Sequence, residues 1–179
     1  LREQILILVD EKDRILGYAP RKECHRGEGK RHRGFVILLY NKDKKILLQH
    51  RKHRLFDKLW DLAAASHPMQ VEGKNESYLQ AAQRCLRDEW GIVGARLNFL
   101  GAFNYQERYG EGCENEHCAL IVGRWDEELS LDPKHAYGLR WLSLGELLRE
   151  LEANPSKFTP WLREAIELLK CSNFIDQLL

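Results

Sequence analysis

The order of its hydrophobic runs constrains this chain more than any other feature. Apolar stretches at Ile5–Val9 and at residues 35–40, 46–49, 97–105, 119–125 and 139–142 are short, alternating or continuous, and several are rich in Ile, Val and aromatic side chains. That is the pattern of β-strands. "YNKDKK" joins the second run to the third as a hairpin turn. After the third run, Asn75-Glu76-Ser77 opens a stretch with Leu79, Ala82 and Leu86 at helical spacing, and Gly91 closes it as a C-cap, which predicts a helix over residues 76–90. "SLGELLRELEAN" begins with Ser143 as N-cap and Glu146 at the capping-box position, and stops before Pro155. "FTPWLREAIELLK" sets Pro160 in a first turn and Leu162, Ile166 and Leu169 along one face. Strands, helix, strands, helices, with no repeat and no low-complexity linker, imply an α/β (α+β) chain with a mixed β-sheet sandwiched between helices.

Composition narrows the partners. A length of 179 residues suits a single domain spanning 1–179, and 44% hydrophobic with 31% charged residues is ordinary for a soluble globular protein. No apolar run approaches the roughly 18 residues of a membrane span, so no membrane partner is expected. A net charge of +1 gives no field suited to nucleic acid, although residues 21–33 and 44–58 are locally basic; an anionic partner should be small. The five cysteines, Cys24, Cys85, Cys113, Cys118 and Cys171, are odd in number and irregularly spaced, with no signal peptide legible before them. Reduced thiols in a cytoplasmic protein are the expectation, as a monomer or weak dimer.

Four stretches concentrate imidazole and carboxylate: "CHRGEGKRH" with His25 and His32, "SHP" with His67, "RDEWG" with Asp88 and Glu89, and "ENEHC" with Glu114, Glu116 and His117. Residues i and i+2 of an extended segment share a face, so Glu114 and Glu116 can converge on one ion or one substrate. Gly27 and Gly29 between His25 and His32 fit a loop that folds back and presents both rings to a divalent metal. Cys85 and Glu89, four apart, share a helix face, where a carboxylate can hold the Mg²⁺ of a diphosphate. Each stretch is equally readable as a solvated strand face, a basic surface loop or a helix end.

Taken in order, "CHRGEGKRH", "LLQHR", "LW…SHP", "RCLRDEWGI", "CENEHC" and "FTPW" resemble the type I isopentenyl diphosphate isomerase family of the Nudix superfamily, over nearly the whole chain. The resemblance implies the Nudix fold and a small-molecule prenyl diphosphate substrate. It implies a second divalent metal, Mn²⁺, Zn²⁺ or Mg²⁺, on His25, His32, His67, Glu114 and Glu116. It further implies that Glu116, with Tyr105, protonates the alkene, an unactivated group that needs a strong acid in a dry pocket. Trp161 matches the aromatic that faces the tertiary carbocation. The diphosphate end is matched by Mg²⁺ on Glu89 and by Arg21, Arg51 and Lys58, the last from a loop shorter than in typical members.

One position departs from that family. Its second acid–base group is a cysteine two residues before the His-Pro histidine, where this chain has Ala65. Ser66 is adjacent, but successive strand residues face opposite ways and a hydroxyl is a weaker acid and base than a thiol. Ala65 is compatible with an isomerase inactivated by an engineered change, with a diverged enzyme such as a prenyl diphosphate cyclase that uses the same acid, and with a Nudix diphosphohydrolase. A catalytically silent prenyl-diphosphate binder is the non-enzymatic alternative. Against the hydrolase pattern G-x5-E-x7-R-E-U-x-E-E-x-G-U (U apolar), Glu76, Arg84, Leu86, Asp88, Glu89, Gly91 and Ile92 fit. Cys85 replaces the first glutamate of the acidic cluster, however, and Gln70 the leading glycine. Hydrolysis needs that cluster to hold the metals that activate water, and the loss weakens that reading.

Overall fold

A computed structural model of the chain describes residues 3–179. Strands β1 (Ile5–Val9) and β2 (Ile15–Pro20) form a hairpin that leads through the one-turn helix α1 (Arg21–Cys24) into β3 (His32–Tyr40). β4 (Ile46–Arg51), β5 (Trp60–Leu62), β6 (Ala64–Ser66), β7 (Met69–Val71) and β8 (Lys74–Asn75) follow, then helix α2 (Tyr78–Trp90). The long strands β9 (Leu97–Tyr109) and β10 (Gly112–Arg124) precede β11 (Ala136–Leu142) and the helices α3 (Leu144–Ala153) and α4 (Pro160–Lys170).

β3 is the axis of the sheet. One edge pairs in parallel with β10, from Glu116 opposite His32 to Arg124 opposite Tyr40; the other pairs antiparallel with β6, where Val36 faces Ala65. The sheet is therefore mixed, and β3 is buried on both faces, as a continuous apolar run requires. Phe35, Ile37 and Leu39 pack with α2, through Ala81, Ala82, Cys85, Leu86 and Trp90. Val36 and Leu38 pack on the opposite side with Leu162, Ala165, Ile166 and Leu169 of α4 and Leu144 and Leu147 of α3. Each fully buried Leu or Ile here contributes about 1.5–3 kcal/mol relative to exposure. The expected layering, one mixed sheet between helices, is the one observed.

Local boundaries differ for identifiable reasons. α2 starts at Tyr78, not residue 76, because Ser77 is the N-cap: its hydroxyl accepts from the Gln80 amide while the Gln80 side chain accepts from the Ser77 amide. Glu76 is freed to grip Arg84 with two bonds of 2.7 and 2.9 Å. Leu79, placed on the buried face by spacing, is exposed; Ala81, Ala82, Cys85, Leu86, Glu89 and Trp90 form that face instead. The short strands β5 to β8 carry too few residues for periodicity to reveal them. Ala63 and Ala64 are small because α2 lies directly on them: both are fully buried against it, and the Trp90 indole donates to the Ala63 carbonyl at 2.8 Å. No helix among the described residues is long and apolar enough to cross a membrane.

Candidate active site

Three strands deliver side chains to one face at one end of the sheet. His32 and Gly34 come from β3, Glu116 and Cys118 from β10, and Ala65 and His67 from β6 and the residue just past it. His25 follows α1, and the loop back to β3 is short because Gly29 adopts φ +71° with a β-carbon position only 3.1 Å from Cys113 Sγ and Asn115 Cβ. The Cys113 amide then donates to the His25 carbonyl at 3.1 Å, fixing the loop on β10. Sequence spacing anticipated both devices: the loop folds back, and Glu114 and Glu116, two apart on β10, are both buried.

His25, His32 and His67 stand with ring centroids 4.8–5.1 Å apart, and their nitrogens lie within 4.8 Å of one another and of a Glu114 oxygen. The Nδ1–H of His25 donates to the Arg21 carbonyl and that of His32 to the Lys30 carbonyl, each at 2.7 Å. A carbonyl can only accept, so Nδ1 carries the proton and each Nε2 keeps its lone pair toward the centre. His25 Nε2, His32 Nε2 and Glu114 Oε2 are buried without a hydrogen-bond partner, although His25 Nε2 and Glu114 Oε2 approach to 3.1 Å. Orphaned imidazole and carboxylate lone pairs facing one point are a donor set that fits a divalent transition metal.

Glu116 joins this cluster to the rest of the cavity. Its Oε1 accepts from His67 Nε2 at 2.8 Å and lies 3.6 Å from His32 Nε2; its Oε2 accepts from the Tyr105 hydroxyl at 2.8 Å. Gly34 makes this possible, because a β-carbon there would collide with the Glu116 carboxylate. Burial opposes charge on Glu116, but the neighbouring His32 ring and the bond from His67 outweigh it and hold the carboxyl well below the usual range. Burial pushes His67 down to about 3 despite the Glu116 partner. Burial also acts against protonation of His25, yet the Glu114 carboxylate prevails and raises it. The Tyr105 hydroxyl is pushed well above its ordinary value by burial, then by the Glu116 charge.

His67, Glu114, Glu116 and Tyr105 line a cavity of about 480 Å³ that also includes Ala65, Cys118, Trp161, Arg51 and Glu89. The NUDIX domain family matches residues 30–162. The isopentenyl-diphosphate Delta-isomerase of Nocardia farcinica is 36% identical over 166 residues, covering 90% of this chain and 91% of its own length. The chain belongs to the isopentenyl-diphosphate Delta-isomerase family. Further members are the isopentenyl-diphosphate Delta-isomerase of Halobacterium salinarum, 34% identical and covering 91% of this chain and 78% of its own, and isopentenyl-diphosphate delta-isomerase 2 of Homo sapiens, 31% identical with 92% and 82% covered. Among solved structures, DR0079 from Deinococcus radiodurans superposes with TM-score 0.72 at 19% identity, covering 92% of this chain and 99% of that one. That likeness shows a shared fold alone.

Within this isomerase-family chain, most of the anticipated positions meet in the cavity. His67, Glu114, Glu116, Tyr105, Trp161, Glu89, Arg21, Arg51 and Ala65 all line it, and His25 and His32 complete the cluster behind them. Lys58 does not: it is exposed and outside the lining, because the short loop turns it away with φ 60° and spends its backbone on Arg51 and His50. Lys52, Arg54, Arg84 and Lys134 are in the lining instead. Arg84 was legible only as a Nudix-box residue, and Lys134 had no signal in the sequence. Cys85 and Cys118 also reach the cavity. Both thiols are held well above their ordinary pKa by burial, then by Glu89 and Glu116 respectively. The Glu89 carboxyl is itself raised by burial; its Oε1 accepts from Cys85 at 3.2 Å, and its Oε2 is a buried orphan.

Proposed function

We propose that this protein interconverts isopentenyl and dimethylallyl diphosphate by protonating an alkene and removing a proton from the adjacent carbon. One observation carries the reading: the Glu116–Tyr105 pair, at 2.8 Å, joins the histidine cluster through His67 and has the Trp161 ring 6.0 Å from that of Tyr105 in the same cavity, in a chain of the isomerase family. Glu116 and Tyr105 hold and deliver the proton from the β9–β10 wall. Trp161 presents its ring to the tertiary cation, an attraction of about 2 kcal/mol or more when water is excluded. Arg21 and Arg51, with Lys52, Arg54, Arg84 and Lys134, bind the diphosphate. A divalent metal fits His25, His32, His67, Glu114 and Glu116, and supplies the positive charge that keeps so many buried carboxylates compatible. Glu89, whose Oε2 is a buried orphan, would hold the Mg²⁺ that accompanies a diphosphate.

Ala65 bears on efficiency. It sits on β6, half-buried and lining the cavity, and it carries no proton-transfer group. The test is incubation with isopentenyl diphosphate in D₂O, followed by NMR. Deuterium entering the carbon skeleton with formation of dimethylallyl diphosphate supports isomerisation. Phosphate release points to hydrolysis, a new carbon skeleton from longer prenyl chains to cyclisation, and binding without turnover to a silent binder; each of these would sink the proposal.

A further inference from the structure

The Asp61 carboxylate is fully buried and stands apart from the histidine cluster. Its Oδ1 accepts from the Leu62 amide at 2.8 Å, the Thr159 hydroxyl at 3.0 Å and the Trp161 indole N–H at 2.9 Å. Its Oδ2 accepts from Arg51 Nη1 at 2.8 Å and shares the Trp161 N–H at 2.9 Å. Amide, indole and guanidinium can only donate, so this nest suits a carboxylate that only accepts. Thr159 is the N-cap residue of α4, yet its side chain caps nothing and goes to Asp61. A group usually reserved for the helix end is thus committed to this carboxylate.

Two of these donors, Trp161 in the first turn of α4 and Arg51 at the end of β4, are buried side by side in the lining of the cavity. The Arg51 guanidinium also lies over the Trp161 ring, 4.9 Å from its centroid. A cation there would weaken the ring's attraction for a second cation, unless a neighbouring anion offsets it. Burial raises the Asp61 carboxyl from its ordinary value, but Arg51 at 2.8 Å and the Trp161, Thr159 and Leu62 donors favour its charged form, and in that form Asp61 is the anion. A charged acceptor on the indole N–H also pushes electron density into the ring, deepening the negative face that attracts a cation. Arg51 Nε remains buried with no protein partner, a donor left for a ligand.

We propose that Asp61 is a positioning residue for the alkene reaction: it fixes the Trp161 ring plane, enriches that ring and holds Arg51 toward the diphosphate. The role in turnover rests on the isomerase reading above; the hold on Trp161 does not. Asp61→Asn keeps the shape and one oxygen acceptor but removes the charge. In protein labelled with ¹⁵N at the tryptophan side chains, the Trp161 indole signal is assigned by its loss in Trp161→Phe. It should move upfield in Asp61→Asn while the other indole signals stay in place. An unmoved Trp161 signal overturns the proposal whatever reaction the enzyme performs.

In turnover, Asp61→Asn should lower kcat about tenfold in the native background and less than about threefold in Trp161→Phe, since coupled residues do not add. Equal losses in both backgrounds overturn the role in the reaction. Affinity for inorganic diphosphate should fall severalfold in Asp61→Asn through Arg51, and unchanged affinity overturns that arm. Should Asp61→Asn fail to fold, Thr159→Val removes one donor only and should shift the Trp161 signal in the downfield direction, because the remaining indole bond to the carboxylate tightens. No shift there counts against the proposal.

Discussion

Gly34→Ala is the sharpest perturbation this site offers. The glycine lies on β3 without a positive φ, so alanine suits the backbone, and on strand propensity alone the change is mildly favourable. The side chain decides otherwise. A β-carbon at this position comes 2.7 Å from Glu116 Oε1 and closer still to Oε2 and Cδ. Ordinary contacts of this kind lie near 3.5 Å, so the carboxylate must move by about 1 Å. Glu116 cannot do so and keep its 2.8 Å bonds to both His67 and Tyr105. A misplacement of that size at a reacting group costs about 100-fold in rate, and a buried carboxylate losing a partner costs about 1–3 kcal/mol of stability. The expected result is a drop of about two orders of magnitude in kcat for deuterium exchange, a fall in Mn²⁺ affinity by calorimetry, and a folded protein with a lower Tm. Native kcat and native Mn²⁺ affinity in Gly34→Ala would refute the claim that this gap seats Glu116.

Three further outcomes follow from the same geometry. Ala65→Cys places a thiol in the cavity lining, and isomerisation in D₂O should speed up by about 10-fold or more, the usual scale of a positioned acid–base group being 10²–10⁴; an unchanged rate removes Ala65 as the limiting feature. His67 and His53, each depressed by burial from 6.5 to about 3, should make the metal-free protein acid-sensitive. Between those values the unfolded chain binds protons that the folded chain refuses, so stability is full above pH 6.5 and is lost as pH falls. The slope is up to about 1.4 kcal/mol per pH unit per histidine. Urea melts from pH 7 to pH 4 check this, and a His53→Gln variant with an unaltered slope contradicts the contribution of His53. Ala64→Leu should destabilise by about 1–3 kcal/mol through overpacking against α2, measured by thermal melting, whereas an unchanged Tm would mean that the helix does not require the small residue.

The sequence by itself determined the layers and half of the site. A continuous apolar run at β3 dictates burial on both faces, capping residues mark α3 closely, and the two-residue spacing of Glu114 and Glu116 places both carboxylates on one side of a strand. The family resemblance drew attention to His25, His32 and His67, which the fold brings together, and to Ala65. The tertiary structure decided everything that depends on distance between elements far apart in the chain. Gly34 is unremarkable in "HRGFV", and a β-carbon there meets the Glu116 carboxylate only because parallel pairing lays β10 beside it. Ala63 and Ala64 look featureless until α2 rests on them, and Lys58 looks like a phosphate ligand until its loop turns it outward. Asp61, 98 and 100 residues from Thr159 and Trp161, carries no local signal at all. Local physics sets which side chains share a face, because strand and helix periods are fixed by the backbone; which faces meet is fixed only when long-range pairing closes the sheet.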